Sequence, residues 1–244
     1  MQVRRLVLHH EGEQFCEIHY NPPGCGAKVF FFAGSSHYGN NSGKPASCQS
    51  AHSKTHPASR ISEARAAGQQ AFGENYVQEA IEKMTALPGL EWHLIGPLQS
   101  NKTRLAAERF QWVQTVDRAK IARRLSEQRP AELPALNVLI QVNASGEQTK
   151  SGVSVSEVAD LAEIVASLPR LRLRGLMAIP QPGAPRARYH EVYRAYEKLK
   201  AAFEVDTLSV GMSDDLELAI AEGATMVRIG TAIFGQRRKE KSAA

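Results

Sequence analysis

The chain has 244 residues, 43% hydrophobic and 23% charged, with a formal net charge of +5. This is the composition of an ordinary globular protein; it excludes a low-complexity or strongly acidic chain, and no apolar run approaches the ~20 residues of a membrane-spanning helix. Three cysteines, Cys16, Cys25 and Cys48, do not suggest a disulfide framework, and with no secretory apolar region visible a cytoplasmic protein is expected.

Residues 1–52 differ in composition from the rest of the chain. They hold all three cysteines and His9, His10, His19, His37 and His52, and they lack sustained periodicity. A metal knot of Cys16, His19 and Cys25 matches no trusted zinc spacing, so no metal is expected. Residues 34–53 contain almost no large apolar side chain apart from Tyr38, too little to offset the entropy of ordering them. An irregular segment is expected over 1–52, with at best a short strand at 29–33. The composition changes abruptly at Ser53, as out-of-frame translation upstream of a sound frame would produce.

From Ser53 the pattern is regular. Residues 61–70 read as a helix and 71–74 as a short buried strand. Val77, Ile81 and Met84 recur at helical spacing, giving a helix over 76–85. A strand at 90–95 ends in Gly96-Pro97, a helix covers 101–110, and a strand covers 112–116. Asp117 is placed to cap a helix running to Gln128. Residues 137–143 form a clear strand. Val158, Leu161, Ala162, Val165 and Leu168 make a helical stripe, followed by a strand at 172–179. Tyr189, Val192, Tyr193, Tyr196, Leu199 and Phe203 make the next stripe. A strand at 207–210, a helix with Asp214 and Asp215 in its first turn and Gly223 at its end, and a strand at 226–229 complete the series. The cluster Arg237-Arg238-Lys239-Glu240-Lys241 reads as a solvated tail over 236–244, with no nucleic-acid or membrane partner expected.

Strict alternation of strands and helices implies parallel strands with right-handed crossovers. Seven strands are countable from Phe72, and a (β/α)8 TIM barrel, an α/β fold, needs eight. The missing strand should end at Ser53-Lys54-Thr55, with Lys54 on the catalytic face, although Ala51-His52-Ser53 is not convincing as strand. The barrel would span 53–235, and its eighth helix would come from elsewhere, perhaps the N-terminal segment. A doubly wound sheet is the alternative, but no Gly-rich nucleotide loop follows an early strand.

The last two strands end in groups able to hold a phosphate. Gly211 and Gly230 let backbone N–H groups approach an anion, and Ser209, Ser213 and Thr231 add hydroxyls. Such a cup lies after strands seven and eight of many barrels. Strand alternation points Arg228 into the barrel below it, where a guanidinium needs a partner: a barrel carboxylate or an anionic ligand.

Several motifs occur together: Ser53-Lys54-Thr55; Phe72-Gly73-Glu74-Asn75-Tyr76-Val77-Gln78-Glu79; Trp92-His93-Leu94-Ile95-Gly96-Pro97-Leu98-Gln99-Ser100-Asn101-Lys102; Lys150-Ser151-Gly152; Gly175-Leu176-Met177-Ala178-Ile179-Pro180; Leu208-Ser209-Val210-Gly211-Met212-Ser213-Asp214-Asp215; and Val227-Arg228-Ile229-Gly230-Thr231-Ala232-Ile233-Phe234-Gly235. In this order they resemble the pyridoxal phosphate homeostasis protein family, short single-barrel relatives of the alanine racemase N-terminal domain. The resemblance implies that Lys54 holds pyridoxal 5′-phosphate (PLP) as a Schiff base. It implies a phosphate held by Ser209, Gly230 and Thr231 with help from Gly211 and Ser213, Arg228 at the pyridine nitrogen, and Asn75, His93 and Met177 lining the pocket. Relatives place an apolar strand before the Ser-Lys-Thr; here residues 45–52, PASCQSAH, stand in its place.

The resemblance further implies a cofactor carrier that buffers PLP and supplies it to apo-enzymes, a monomer rather than a catalyst. An amino-acid racemase is the alternative; it needs a base on each face of the α-carbon. In alanine racemases the second base is a Tyr from an additional domain of a partner subunit, and none is expected here. Tyr76, Tyr189, Tyr193 and Tyr196 read as helix residues away from the strand ends. A barrel for another phosphorylated metabolite is the third reading. Lys150 reads as a solvated loop lysine, with a secondary aldehyde-reactive amine as the sharper alternative.

Overall fold

A helix between two short strands returns the chain to the same end of the sheet, so each apolar run meets a parallel neighbour. The computed structural model describes residues 49–53, 57–66, 68–145, 151–212 and 214–234, and follows that rule. In chain order the elements are β1 (Gln49–His52), α1 (Ala58–Ala66), β2 (Ala71–Glu74), α2 (Val77–Ala86), β3 (Glu91–Leu94), α3 (Thr103–Arg109), β4 (Trp112–Val116) and α4 (Ala119–Gln128). Then come β5 (Leu136–Val142), α5 (Val158–Ser167), β6 (Leu171–Ala178), α6 (Arg186–Ala202), β7 (Thr207–Ser209), α7 (Leu216–Ala221), β8 (Val227–Ile229) and α8 (Thr231–Phe234).

The strands pair in parallel in the order β7-β6-β5-β4-β3-β2-β1-β8. The two ends of this row also meet. Ser209 bridges Met226 in parallel, the Val210 N–H donates to the Met226 carbonyl at 3.2 Å, and the Met226 N–H donates to the Leu208 carbonyl at 3.1 Å. The sheet is therefore a closed (β/α)8 barrel. Outward side chains such as Phe72, Leu94, Val113 and Ile140 pack against helix residues including Ile61, Ile121, Leu125 and Val165. A smaller set, Trp112, Leu139, Met177 and Met226, forms a separate apolar cluster. Its members alternate with outward residues along their strands, so it fills the barrel interior.

Three expectations are corrected. Residues 49–52 are strand rather than irregular, and supply the missing first strand that the strand count placed just before Ser53-Lys54-Thr55: Gln49–His52 pairs with β2 on one side and β8 on the other. Its composition carries no strand signal; the backbone groups of the flanking strands supply one, because a gap there would leave both ladders unpaired. Asp117 does not cap α4. The chain enters that helix one residue later, and the Asp117 carboxylate accepts from the Arg118 guanidinium at 2.6 Å. The eighth helix follows β8 directly as the short α8, rather than being borrowed from the N-terminal segment. The expectations for residues 1–48, including Cys16, His19 and Cys25, lie outside the described residues.

The barrel has one marked irregularity. Between β5 and β6 the register slips by a residue, pairing Val138 with Leu173 and Leu139 with Gly175. Gly175 has φ +142, and a Cβ there would lie 1.9 Å from the Thr207 carbonyl oxygen, so only glycine fits the bulge. The extra residue, Arg174, donates to Asp206 and Asn137 and lies 4.7 Å from the Trp112 ring centroid. It covers the N-terminal side of the interior cluster. Among the described residues no helix is long and apolar enough to cross a membrane.

Candidate functional site

The C-terminal ends of the strands carry Ser53, Glu74, Asn75, Ala178, Ser209, Gly211 and Gly230. The centre of this face is Arg228 on β8. It is only 1% exposed, and its side chain points inward as alternation predicts. One guanidinium nitrogen donates to the Ser209 carbonyl and to the Ser209 hydroxyl, both at 2.8 Å, and the other donates to the Ala178 carbonyl at 2.9 Å. These acceptors are all neutral, and among the described residues no carboxylate forms an ion pair with Arg228. Burial draws its pKa down from 12.5 to about 10, with Asp215 acting weakly the other way. The group stays charged at neutral pH, and its charge is left largely uncompensated.

Ser209 lies fully buried beneath the mouth. Its hydroxyl donates to Gln114 Oε1 at 2.7 Å while accepting from Arg228. This side chain therefore supports the guanidinium. His93 is also fully buried. Its Nε2 contacts Glu91 and its Nδ1 contacts Gln114, each at 2.9 Å, and its ring stacks on Trp112 with centroids 5.1 Å apart. Burial lowers its pKa, against the pull of Glu91. Met177 is fully buried in the interior apolar cluster. Asn75 sits at the end of β2, and its Oδ1 is buried with no hydrogen-bond partner.

The β7 loop is held from outside. Gly211 has φ +98, and a Cβ there would lie 2.5 Å from Ala219 Cβ, which requires glycine; its carbonyl accepts from the Arg228 N–H at 3.0 Å. Asp215 accepts from the Met212 N–H at 2.5 Å and from the Tyr189 hydroxyl at 2.6 Å. Tyr189 therefore reaches the site loop from α6, which its reading as plain helix core misses. Burial, then Asp215, raises its pKa. Tyr189→Phe is expected to cost about 1 kcal/mol, read as a lower urea midpoint; an unchanged midpoint would show that the loop does not need this bond. Tyr76 stands before α2 in extended conformation at the end of the β2 segment and is 55% exposed, so it too lies at the strand ends rather than within a helix.

Behind the mouth, Ser53 is anchored by a buried ion cluster. Lys83 Nζ donates to the Ser53 carbonyl and to Glu74 Oε1, both at 2.6 Å, and to Glu79 at 2.7 Å. The Ser53 hydroxyl donates to Glu74 at 2.5 Å. Burial raises the Glu74 pKa, against the lowering pull of Lys83 and Ser53. Lys54 itself, Ser213 and Lys150 lie outside the described residues, as does the Thr231 side chain. Gly230 immediately precedes α8, and its carbonyl accepts from the Ile233 and Phe234 N–H groups.

Sequence reasoning misses Glu91, Gln114 and Lys83. Gln114 has a legible signal, a polar residue within the buried run WVQTV. Glu91 and His93 also share one face of β3 by their spacing of two. Lys83 has none, because it looks like any exposed helix lysine.

Known proteins share both the fold and the motifs. The family model for the alanine racemase N-terminal domain matches residues 46–238. The pyridoxal phosphate homeostasis protein of Escherichia coli K12 is 60% identical over 199 residues, covering 78% of this chain and 85% of that protein. The chain belongs to the pyridoxal phosphate homeostasis protein family. The Pseudomonas aeruginosa PAO1 protein of the same name is also 60% identical, over 189 residues. The structure of PipY from Synechococcus elongatus PCC7942 with PLP bound matches with a TM-score of 0.71 and 38% identity, over 78% of this chain and 93% of that one. The match to the family model starts within the weakly patterned stretch before Ser53, in keeping with a genuine first strand there.

The residues present suit the cofactor found in PipY. A buried guanidinium whose acceptors among the described residues are all neutral calls for an anion, and an unpartnered amide oxygen at Asn75 calls for a donor.

Proposed function

We propose that this chain binds PLP at the C-terminal mouth of its barrel, held covalently through the amine of Lys54, and serves intracellular PLP homeostasis in the cytoplasm by buffering the cofactor and supplying it to apo-enzymes. The observation that carries this reading is the fully buried Arg228 beneath the mouth, with no carboxylate partner among the described residues. Family membership and the PLP-bound PipY structure support it. Backbone groups at Gly211 and Gly230, with Ser213 and Thr231, would hold the phosphate. Asn75 would contact the bound molecule, and Ser209 would act through Arg228.

When bound, PLP supplies an aldehyde that condenses with amines and a ring that withdraws electrons. Lysine condenses as the free amine, a form that a dry, cationic site favours. Arg228 donates and never accepts. It therefore offers a ring nitrogen no carboxylate partner, and so dampens the electron withdrawal that catalysis requires. Residues arranged in this way hold a cofactor better than they activate it.

Visible absorption tests the reading. Purified protein titrated with PLP should develop a band that resists dialysis and disappears on treatment with a competing amine, and Lys54→Ala should abolish it. A band of equal intensity in Lys54→Ala would assign the linkage to another amine. No band in either folded protein would overturn cofactor binding by this chain.

A further inference from the structure

Five polar side chains cross the barrel interior in one continuous hydrogen-bonded chain, from Glu91 near the N-terminal end of β3 to Arg228 under the mouth. The contacts are Glu91 to His93 at 2.9 Å, His93 to Gln114 at 2.9 Å, Gln114 to Ser209 at 2.7 Å and Ser209 to Arg228 at 2.8 Å. His93, Gln114 and Ser209 are fully buried, so none can turn to water for a substitute.

The two ends and the tautomer of His93 together determine the direction of every bond. A carboxylate only accepts, so His93 carries its proton on Nε2 toward Glu91. Gln114 Nε2 lies 2.9 Å from Nδ1 and also faces the Met226 sulfur, so Nδ1 is the lone pair that receives its N–H. The Gln114 amide is then oriented: Nε2 faces His93 and the Met226 sulfur, and Oε1 faces Ser209. The Ser209 hydroxyl must donate to that oxygen, which turns its lone pairs to Arg228. A guanidinium only donates, so the chain closes without conflict. Flipping the amide would oppose two acceptors at His93 Nδ1 and take from the Ser209 hydroxyl proton its acceptor. Stacking of Trp112 on His93 holds the ring that starts the sequence.

We propose that Gln114 is a positioning residue: its amide, oriented by His93 and Glu91, orients the Ser209 hydroxyl and so fixes the Arg228 guanidinium beneath the mouth. The part concerning ligand affinity rests on the PLP reading above; the part concerning bond direction does not.

The experiment compares the full chain with Gln114→Leu, Gln114→Glu and the interior control Leu139→Val. Nitrogen-15 NMR of histidine in ligand-free protein should show His93 protonated on Nε2 and bare on Nδ1. Gln114→Glu replaces the donor facing Nδ1 by an acceptor, and should place a proton on Nδ1. Exchange of the Arg228 guanidinium protons should be about tenfold faster in Gln114→Leu than in the control. PLP affinity should fall about tenfold in Gln114→Leu, beyond any loss in Leu139→Val. An Nδ1-protonated His93 in the unsubstituted protein, or guanidinium exchange no faster in Gln114→Leu than in Leu139→Val, would overturn the proposal. If the unsubstituted protein binds no PLP, the functional reading fails, while the tautomer and exchange results still decide the role of Gln114.

Discussion

Lys83→Met is expected to destabilise the fold by about 3–5 kcal/mol, because it strands Glu74 in the interior without its cation. Glu74 is fully buried and its Oε2 already lacks a hydrogen bond, so the remaining Ser53 hydroxyl would be its sole described partner. The Ser53 carbonyl would lose its ammonium donor as well. The effect depends on pH in a definite direction. Burial already raises the Glu74 pKa above its ordinary 4.5, and Lys83 is the largest influence lowering it. A carboxyl whose folded value is raised favours the fold most when protonated. That contribution is complete below the unfolded value and is lost as pH rises through the folded value. Without Lys83 the folded value climbs further. The loss should therefore be small in mild acid and largest at about pH 8. Urea unfolding of both proteins at pH 5 and pH 8 reads the difference; equal losses at the two pH values would refute the account.

Arg228→Met should behave in the opposite way, sparing the fold and removing the ligand. The substitution deletes three hydrogen bonds to buried acceptors, yet it also removes a desolvated charge that no described carboxylate compensates. Those contributions oppose each other: the acceptors left behind cost stability, and relief of the desolvated charge restores it. The expected change in stability is within about 1 kcal/mol. Any ligand contact the guanidinium makes is charge-assisted, so PLP affinity should drop by about 10- to 150-fold. Calorimetric titration with PLP beside urea unfolding separates the two. Unchanged affinity would remove Arg228 from the site, and a stability loss of several kcal/mol would make it a structural residue first.

The two substitutions mark different kinds of burial. Lys83 is a structural ion with partners in place, tied to the residue that precedes Lys54. Arg228 is an ion whose partners are carbonyls and a hydroxyl, an arrangement that makes sense once something anionic occupies the mouth. An unbalanced buried charge of this kind is characteristic of a functional site, where stability is set aside for binding.

Much of the barrel was legible in the residues themselves. Strands β2 and β4 fall where short apolar runs placed them, and most of the α5 and α6 stripe residues prove buried, with Leu168, Tyr193 and Phe203 partly buried against the core. Periodicity is local: an outward strand residue or a helix stripe needs only its neighbours in sequence to be recognised. The inward direction of Arg228 follows from the same parity. Family motifs supplied the remainder, the resemblance from which the roles of Lys54 and of the loops after β7 and β8 are proposed.

What residue pattern could not supply was pairing. Gln49–His52 is a strand because β2 and β8 flank it, a fact absent from the letters QSAH. Ser209 meets Gln114 from 95 positions away, and Lys83 meets Ser53 from 30. Local patterning sets which way a side chain points from its own element. Barrel closure alone determines which distant polar group it then faces, and in a dry interior that partner decides whether a serine serves a ligand or an arginine.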